Sequence, residues 1–523
     1  MLNRTLSLAL ARPRVALLLL GAVAALGFPP IHLWPLALAA LGAGAVLIRF
    51  SGTMRSAFFR GWLFGFAHFT LTNIWIATAF THQDEMPAVL GWFAVPILGA
   101  FLALYPALAF AAAYRLARGR SALVYALALG GAWILAEYLR ATLFTGYAWG
   151  PFSLALLGPF DRPGIAALLP FTGTYALSGL AVVLAVALID QALRREWVRI
   201  GIASLLLVAA MYWPAGRGAE GTLDYTLVQP DLDMKELNDP RQYEPGFLTL
   251  AALTVRPEGS DDPRLVLWPE GVLPDYLREG YPDRYYAATT AGRDPAYARA
   301  RIARVIGDNS VLLTGTMDLE IEDNRAAAAY NVVSVLDDEG EIVGSYRKAH
   351  LVPYGEYLPF RDLLEPIGLS RLVAGSIDFL SGPGPQTIDL GEHGRAGVQI
   401  CYEIIFSGQV VDRADRPDYI VNPSIDGWFG PSGPPQHMAQ ARMRAIEEGL
   451  PVLRSTTTGI SGVIDARGVV RQHLGMREQA RLQGKVPPAG GRTIFAMLGN
   501  WLALGWAIAL LAGALVVKRR RGH

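Results

Sequence analysis

The sequence predicts a multi-span α-helical membrane domain joined to an α/β layered domain, with one further membrane helix closing the chain. Three observations predict it. Of 523 residues, 52% are hydrophobic and only 17% charged, and the mean hydropathy is +0.30, the balance of a membrane protein. The charge is unevenly placed: residues 1–215 carry few acids, whereas about 220–490 has the composition of an ordinary soluble domain. In that second region short apolar runs alternate with helical stretches, the pattern of an α/β core. A formal net charge of +1 leaves no nucleic-acid footprint.

Apolar runs long enough to cross a bilayer, about 17–25 residues each, occupy 13–29, 32–50, 57–80, 88–114, 121–139, 164–191 and 198–214, with an eighth at 494–517. Basic residues set the orientation. Arg4, Arg12 and Arg14 precede the first run; Arg49, Arg55 and Arg60 surround the connection from second to third, and Arg115, Arg118 and Arg120 that from fourth to fifth. Arg194, Arg195 and Arg199 lie between sixth and seventh, and Lys518-Arg519-Arg520-Arg521 follow the eighth. The alternate connections are poor in basic residues. Both termini are therefore expected on the cytoplasmic side, and residues 216–490 on the opposite face between a membrane domain at 1–215 and a closing helix and tail at 491–523. The first run lacks a small-residue cleavage site and reads as a retained helix. The outer connection Thr145–Phe152 is aromatic and rich in Gly and Pro, which fits an interfacial belt or a substrate-contacting loop containing Trp149.

Within the soluble part, Thr222–Val228, Arg264–Trp268 and Val311–Leu319 read as strands. Tyr330–Leu336 and Glu341–Tyr346 flank Asp337-Asp338-Glu339-Gly340 as a hairpin. Ala396–Ile400 leads to Cys401, and Tyr419–Val421 to Asn422-Pro423-Ser424. Gln436–Glu448 has helical spacing, and Pro451–Thr456, Gly462–Asp465 and Val469–Gln472 are further strands. Tyr402–Val411 is spaced as a helix, which places Cys401, the single cysteine, at a strand-to-helix corner. Backbone N–H groups and the helix end there would favour the thiolate; the alternative is a small buried hydrophobe.

Three polar residues end apolar strands: Glu270, Lys348 and Cys401. Catalytic groups of α/β sheets gather at strand ends. Singly, Glu270 could cap a helix and Lys348 could be a solvated strand terminus. Together they suit attack on an ester or amide carbonyl, with Cys401 as nucleophile, Glu270 as base and later acid, and Lys348 stabilising the oxyanion. His350 and His437 have no second ligand at metal spacing and read as structural, so neither a metal nor another cofactor is expected.

Trp268-Pro269-Glu270, Lys348-Ala349-His350-Leu351-Val352-Pro353-Tyr354-Gly355-Glu356-Tyr357 and Ile400-Cys401-Tyr402-Glu403 resemble the Glu-Lys-Cys motifs of the nitrilase superfamily, in the version of the apolipoprotein N-acyltransferase family. Asp426–Gly430, Gln436–Ala445, Arg454–Ile460 and Gly499-Asn500-Trp501 resemble the same family. The resemblance covers the whole chain. It implies a nitrilase-like αββα sandwich on the periplasmic side of a bacterial inner membrane. It also implies transfer of an acyl chain from a glycerophospholipid, through a Cys401 thioester, to the α-amine of a diacylglyceryl-cysteine apolipoprotein. On this resemblance Glu356, Tyr402, Glu403 and Asn331 support the site; Trp428, in the Asp426–Gly430 motif, and Trp149, in the outer aromatic loop, are expected to contact substrate. Membrane lipid is then the surrounding partner, and the chain is expected to act as a monomer.

Tyr357–Phe379, with Leu358, Phe360, Leu363, Leu364, Ile367, Leu369, Leu372 and Phe379, fits an apolar lid at the interface or a loop packed on its own domain. Two other functions compete. A membrane-tethered nitrilase-type amidase needs only one anchor rather than eight spans. A transporter with an accessory domain predicts ionisable residues inside the spans, where only Glu137 and Asp190 qualify.

Overall fold

A computed structural model of the chain describes residues 12–82, 87–216, 218–256, 261–360 and 378–520, together with Asp362 and Pro366. Most of the stretch read as an apolar lid, including Leu363, Leu364, Ile367, Leu369 and Leu372, lies outside the described residues.

The membrane part consists of α1 (Pro13–Ala25), α2 (Trp34–Arg49), α3 (Met54–Thr72), α4 (Leu90–Leu102), α5 (Leu104–Ala117), α6 (Ala122–Thr142), α7 (Leu169–Leu193), α8 (Trp197–Tyr212) and the closing helix Asn500–Arg520. Prolines stand in the first turn of α1, α2 and α7, where a missing N–H costs nothing. Thr53 and Ser121 cap α3 and α6 by accepting from the Ser56 and Val124 N–H groups. The run at 88–114 breaks at Ala103 because Pro106 has no N–H to return to the Leu102 carbonyl. Gly130 and Gly179 let α6 and α7 touch: a Cβ on either would lie under 3 Å from the other's carbonyl oxygen.

Among the described residues, Leu90–Ala117, Ala122–Thr142, Ile165–Leu193 and Asn500–Val517 are long and apolar enough to cross a membrane, whereas Pro13–Ala25, Trp34–Arg49 and Trp197–Tyr212 are apolar but shorter. Several described helices are thus shorter than the apolar runs that contain them. A 16-residue helix such as α2 rises about 24 Å, against about 30 Å of hydrocarbon. The apolar runs took in Phe28, Pro29, His32 and Leu33, which lie in the turn between α1 and α2.

The second part is built on two six-stranded sheets. One has the order β12-β1-β2-β3-β4-β5 and the other β11-β10-β9-β8-β7-β6. In chain order the strands are β1 Asp224–Gln229, β2 Arg264–Leu267, β3 Ser310–Glu322, β4 Arg325–Leu336, β5 Ile342–Arg347, β6 Thr387–Asp389, β7 Arg395–Val398, β8 Tyr419–Ser424, β9 Val452–Thr456, β10 Gly462–Ile464, β11 Val470–His473 and β12 Ala480–Lys485. Strand alternation assigns the layers. Leu265 and Leu267 meet Val398, Val421 and Leu453 between the sheets, while Val266 faces Phe247, Leu250 and Ile302 of α9 (Tyr243–Thr254) and α10 (Pro295–Ile306). On the far side, Ile420 and Val452 pack on Met438 and Ala441 of α11 (Gly433–Glu448). This is the αββα sandwich. The short edge strand β6, and β12, which pairs with β1 from the far end of the domain, were not anticipated.

Helix α11 is buried along its length because the membrane bundle covers its outer side. The Trp149 indole N–H donates to Gln436 Oε1 (2.7 Å), and Arg442 donates to the carbonyls of Gly158 and Pro159 (2.8 and 2.7 Å). Left-handed Gly173 (φ +70) breaks the α7 ladder, and Glu447 Oε1 accepts the Thr174 N–H at 2.7 Å. Each contact satisfies a buried polar group that would otherwise lose its hydration.

Candidate active site

Strand β2 ends where Trp268-Pro269 leaves the sheet, and Glu270 follows. The chain can pass there because β3 carries Gly315, at which a Cβ would lie 2.5 Å from the Glu270 Cα. Strand β5 ends at Arg347, and the Lys348 N–H still pairs with the Asn331 carbonyl of β4 (2.9 Å). These strand ends aim three charges at one another. Lys348, 1% exposed, donates from Nζ to Glu270 Oε1 (3.2 Å) and Glu356 Oε1 (2.8 Å). Asn331 Nδ2 donates to the same two oxygens (2.7 and 2.9 Å). The outer oxygens are used as well: Glu270 Oε2 accepts from the Ile425 N–H (3.0 Å) and Glu356 Oε2 from the Val352 N–H (2.8 Å). Burial works against the lysine's charge, but Glu270 and Glu356 override it and hold the ammonium well above the ordinary lysine value.

Cys401 follows β7 on a left-handed residue (φ +49), a conformation that costs a non-glycine residue about 1 kcal/mol or more. The helix expected over Tyr402–Val411 is instead one 3₁₀ turn, Cys401–Ile405, because the left-handed start leaves no α-helical entry. Glu403 braces this turn. Its Oε2 accepts the Ile400 N–H (2.8 Å), and its Oε1 accepts from Tyr346 Oη (2.9 Å) and the N–H groups of Ala349 (2.7 Å) and His350 (3.0 Å). One carboxylate thus ties the cysteine turn to the residues following Lys348. The expected helix-end stabilisation of the thiolate is absent. Burial pushes the thiol well up, Glu270 adds to that, and Lys348 opposes it. A thiol so raised, beside a carboxylate and an ammonium, would need a general base to serve as a nucleophile.

Residues 20–187 match the apolipoprotein N-acyltransferase N-terminal domain, and residues 237–493 match the carbon–nitrogen hydrolase domain. The apolipoprotein N-acyltransferase of Rhodopseudomonas palustris is 32% identical over 97% of this chain and 95% of its own length. That of Bradyrhizobium diazoefficiens is 34% identical over 96% and 94%. The chain belongs to the apolipoprotein N-acyltransferase family. A variant of the Nesterenkonia AN1 amidase from the nitrilase superfamily aligns at 19% identity and a TM-score of 0.35, covering 52% of this chain and 94% of the amidase. Membership in the N-acyltransferase family, together with the apolar helices, makes the chain a membrane-protein enzyme.

Around the charged cluster, Tyr402 lies beneath the loop after α6, its hydroxyl 3.4 Å from the Gly146 carbonyl and its ring edge-on to Phe406. Trp428 is half-buried, with its ring edge-on to His82 at 5.9 Å. Trp149, read as a substrate contact, is only 1% exposed and lies among Trp75, Phe429 and His437, so here it is part of the interface between the two domains.

One buried group behind the cysteine, Asp426, His437 and Arg454, had no part in the chemistry read from sequence, where His437 was structural. Cys401, Asp426 and His437 are close enough for their ligand atoms to share a metal ion. Asp426 and His437 are otherwise engaged, however. Asp426 takes Arg454 Nη2 on both oxygens (2.8 and 2.7 Å), and His437 faces Asp426 (3.1 Å) and the Cys401 carbonyl (3.0 Å). The donor set fits a hydrogen-bonded scaffold better than a metal centre. Asp426–Gly430, Gln436–Ala445 and Arg454–Ile460 each carried one member as a motif resembling the family, but the motifs do not reveal that β9 brings Arg454 against the other two.

Proposed function

We propose that this enzyme transfers an acyl chain from a glycerophospholipid to the N-terminal α-amine of a diacylglyceryl-cysteine apolipoprotein by way of a Cys401 thioester. The observation that carries this reading is the buried ammonium of Lys348, held by Glu270 and Glu356 beside the chain's one cysteine. In the first half-reaction Glu270 takes the Sγ proton as sulfur attacks the ester carbonyl. Lys348 stabilises the resulting oxyanion. Collapse breaks the ester C–O bond, and Glu270 returns the proton to the departing glycerol oxygen, leaving lysophospholipid and the thioester. In the second, the amine attacks the thioester carbonyl, Glu270 accepts an amine proton and passes it to the departing sulfur, and the C–S bond breaks to release the Cys401 thiol and the amide.

Asn331 and Glu356 keep Lys348 and Glu270 in register, Glu403 and Tyr402 hold the cysteine turn, and Trp428 forms part of the substrate rim. The domains divide at 1–215, 216–490 and 491–523. The chain works as a monomer in the bacterial inner membrane, with the sandwich periplasmic and both termini cytoplasmic, as the basic connections favour. Intact mass after incubation with phospholipid and no acceptor tests the reading. One acyl chain added, removed by neutral hydroxylamine and absent in Cys401→Ala, is the expected result. A folded protein with neither adduct nor released lysophospholipid would overturn it and direct attention to small amides.

A further inference from the structure

His437 takes no part in the transfer chemistry just described, yet it is fully buried and both ring nitrogens have partners. Nε2 lies 3.0 Å from the Cys401 carbonyl oxygen, which can only accept, so Nε2 carries a proton. Nδ1 lies 3.0 Å from Arg454 Nη2, which can only donate. Nδ1 also lies 3.1 Å from Asp426 Oδ1, but both Asp426 oxygens already accept from Arg454 Nη2, so Nδ1 is the nitrogen that faces the Arg454 donor. Burial first, and then the Arg454 charge, outweigh Asp426 and lower the imidazole from its ordinary value. Arg454 is itself fixed, donating to both Asp426 oxygens from Nη2 and to Ser424 Oγ (2.9 Å) from Nη1. From the membrane side the Trp149 ring packs on His437 at a centroid distance of 5.4 Å.

The left-handed cysteine turn is thereby gripped on both sides. The Ile400 N–H before it goes to Glu403, and the Cys401 carbonyl goes to His437, with Asn422 Nδ2 at 3.4 Å as a weaker second donor. We propose that His437 is a positioning residue for the nucleophile: Arg454, held by Asp426, selects the Nε2–H tautomer, and that N–H anchors the Cys401 carbonyl and with it the aim of the sulfur. The proposal rests on the reading of Cys401 as nucleophile. It also gives the membrane domain, through Trp149, a path of contacts to the reacting turn.

Two substitutions separate positioning from packing. His437→Gln puts an amide N–H where Nε2 lies. His437→Asn reaches only to the Nδ1 position and leaves the carbonyl without that donor. In the full-length protein in detergent, thioester formation with phospholipid is expected to stay within about threefold of wild type for H437Q and to slow at least about tenfold for H437N, with KM unchanged, since misplacing a reacting group costs rate rather than binding. Because the chain has one cysteine, carbonyl-13C-cysteine marks this single peptide bond for infrared spectroscopy. Its band should move to higher frequency in H437N and stay in place in H437Q.

Equal rates for the two variants, or an unmoved band in H437N, would overturn the proposal. If neither variant folds, the labelled wild type decides: a band at the frequency of a free carbonyl overturns the proposal, and one at that of a strongly bonded carbonyl supports it. If wild type itself forms no thioester, the functional reading fails. The positioning role is then read from iodoacetamide alkylation of Cys401, where a tenfold loss confined to H437N upholds it and equal alkylation rejects it.

Discussion

Replacing Glu403 by glutamine changes one oxygen into an NH2 group and tests how the cysteine turn is held. The amide can keep its oxygen toward Tyr346, Ala349 and His350, which turns the NH2 toward the Ile400 N–H, formerly 2.8 Å from an acceptor. Flipped, it would confront three donors, so the first orientation wins. The loss is one hydrogen bond to a charged acceptor, about 1.5–3 kcal/mol, and the weakening of the other three as their acceptor becomes neutral. Against this, burial lifts the Glu403 carboxyl from the ordinary 4.5 to about 7. Holding it ionised above pH 7 therefore costs roughly 3 kcal/mol at about 1.4 kcal/mol per pH unit, and glutamine removes that cost. The two effects nearly cancel, so the melting temperature at pH 8 should move by only a few degrees. The Ile400 N–H beside the nucleophile is nevertheless left facing a donor, and a displacement of about 1 Å there costs on the order of 10²-fold in rate. Single-turnover thioester formation, followed by intact mass, should fall by about that factor. A normal rate in E403Q would show that Glu403 does not align the turn. A collapse in melting temperature would show that the offsetting desolvation was misjudged.

Lys348→Met removes the one ammonium between Glu270 and Glu356 and should slow thioester formation about 10²–10³-fold; near-normal acylation would take Lys348 out of the mechanism. Asn331→Leu withdraws donors from both carboxylates and is expected to cost about 3 kcal/mol in denaturant or thermal stability, whereas a loss under about 1 kcal/mol would mean that Lys348 alone neutralises the pair. Trp149→Phe keeps the stacking but leaves Gln436 Oε1 without the indole N–H, so it should lower thermal stability by about 1–2 kcal/mol, and an unchanged melting temperature would remove that bond from the account of domain docking. Glu403 and Glu448 are both raised by burial to about 7, above the unfolded value. The folded state therefore keeps protons that the unfolded chain has already released, and the stability these groups contribute is full below about pH 4.5 and is lost as pH rises to 7. Melting temperatures compared at pH 5 and pH 8 should show the decline, and Glu448→Gln should flatten part of it; a stability that increases across this window would contradict the assignment.

Much of this enzyme was legible in the chain. Short apolar runs marked most strands, because central strands of the two sheets are covered on both faces and must be apolar throughout. The hairpin at Asp337–Gly340 and the helix at 436–448 stand where the spacing put them. Glu270, Lys348 and Cys401 each followed an apolar run, and the motifs around them carried the family. Sequence could not fix the length of membrane helices, since apolar residues look alike in a turn and in a span. It also misjudged the state of the thiol. Local chain order put Cys401 at a helix start, but its protonation is set by burial and by charges from Glu270 and Lys348, 131 and 53 positions away in the chain. Trp149 lies in a loop whose composition fitted an interfacial belt or a substrate contact alike, and its cover by α11 comes from the other domain. Residue type and periodicity determined which elements form and which chemistry is available. Only the tertiary structure decided which buried partners each polar group meets, because those partners come from separate strands and from the other domain.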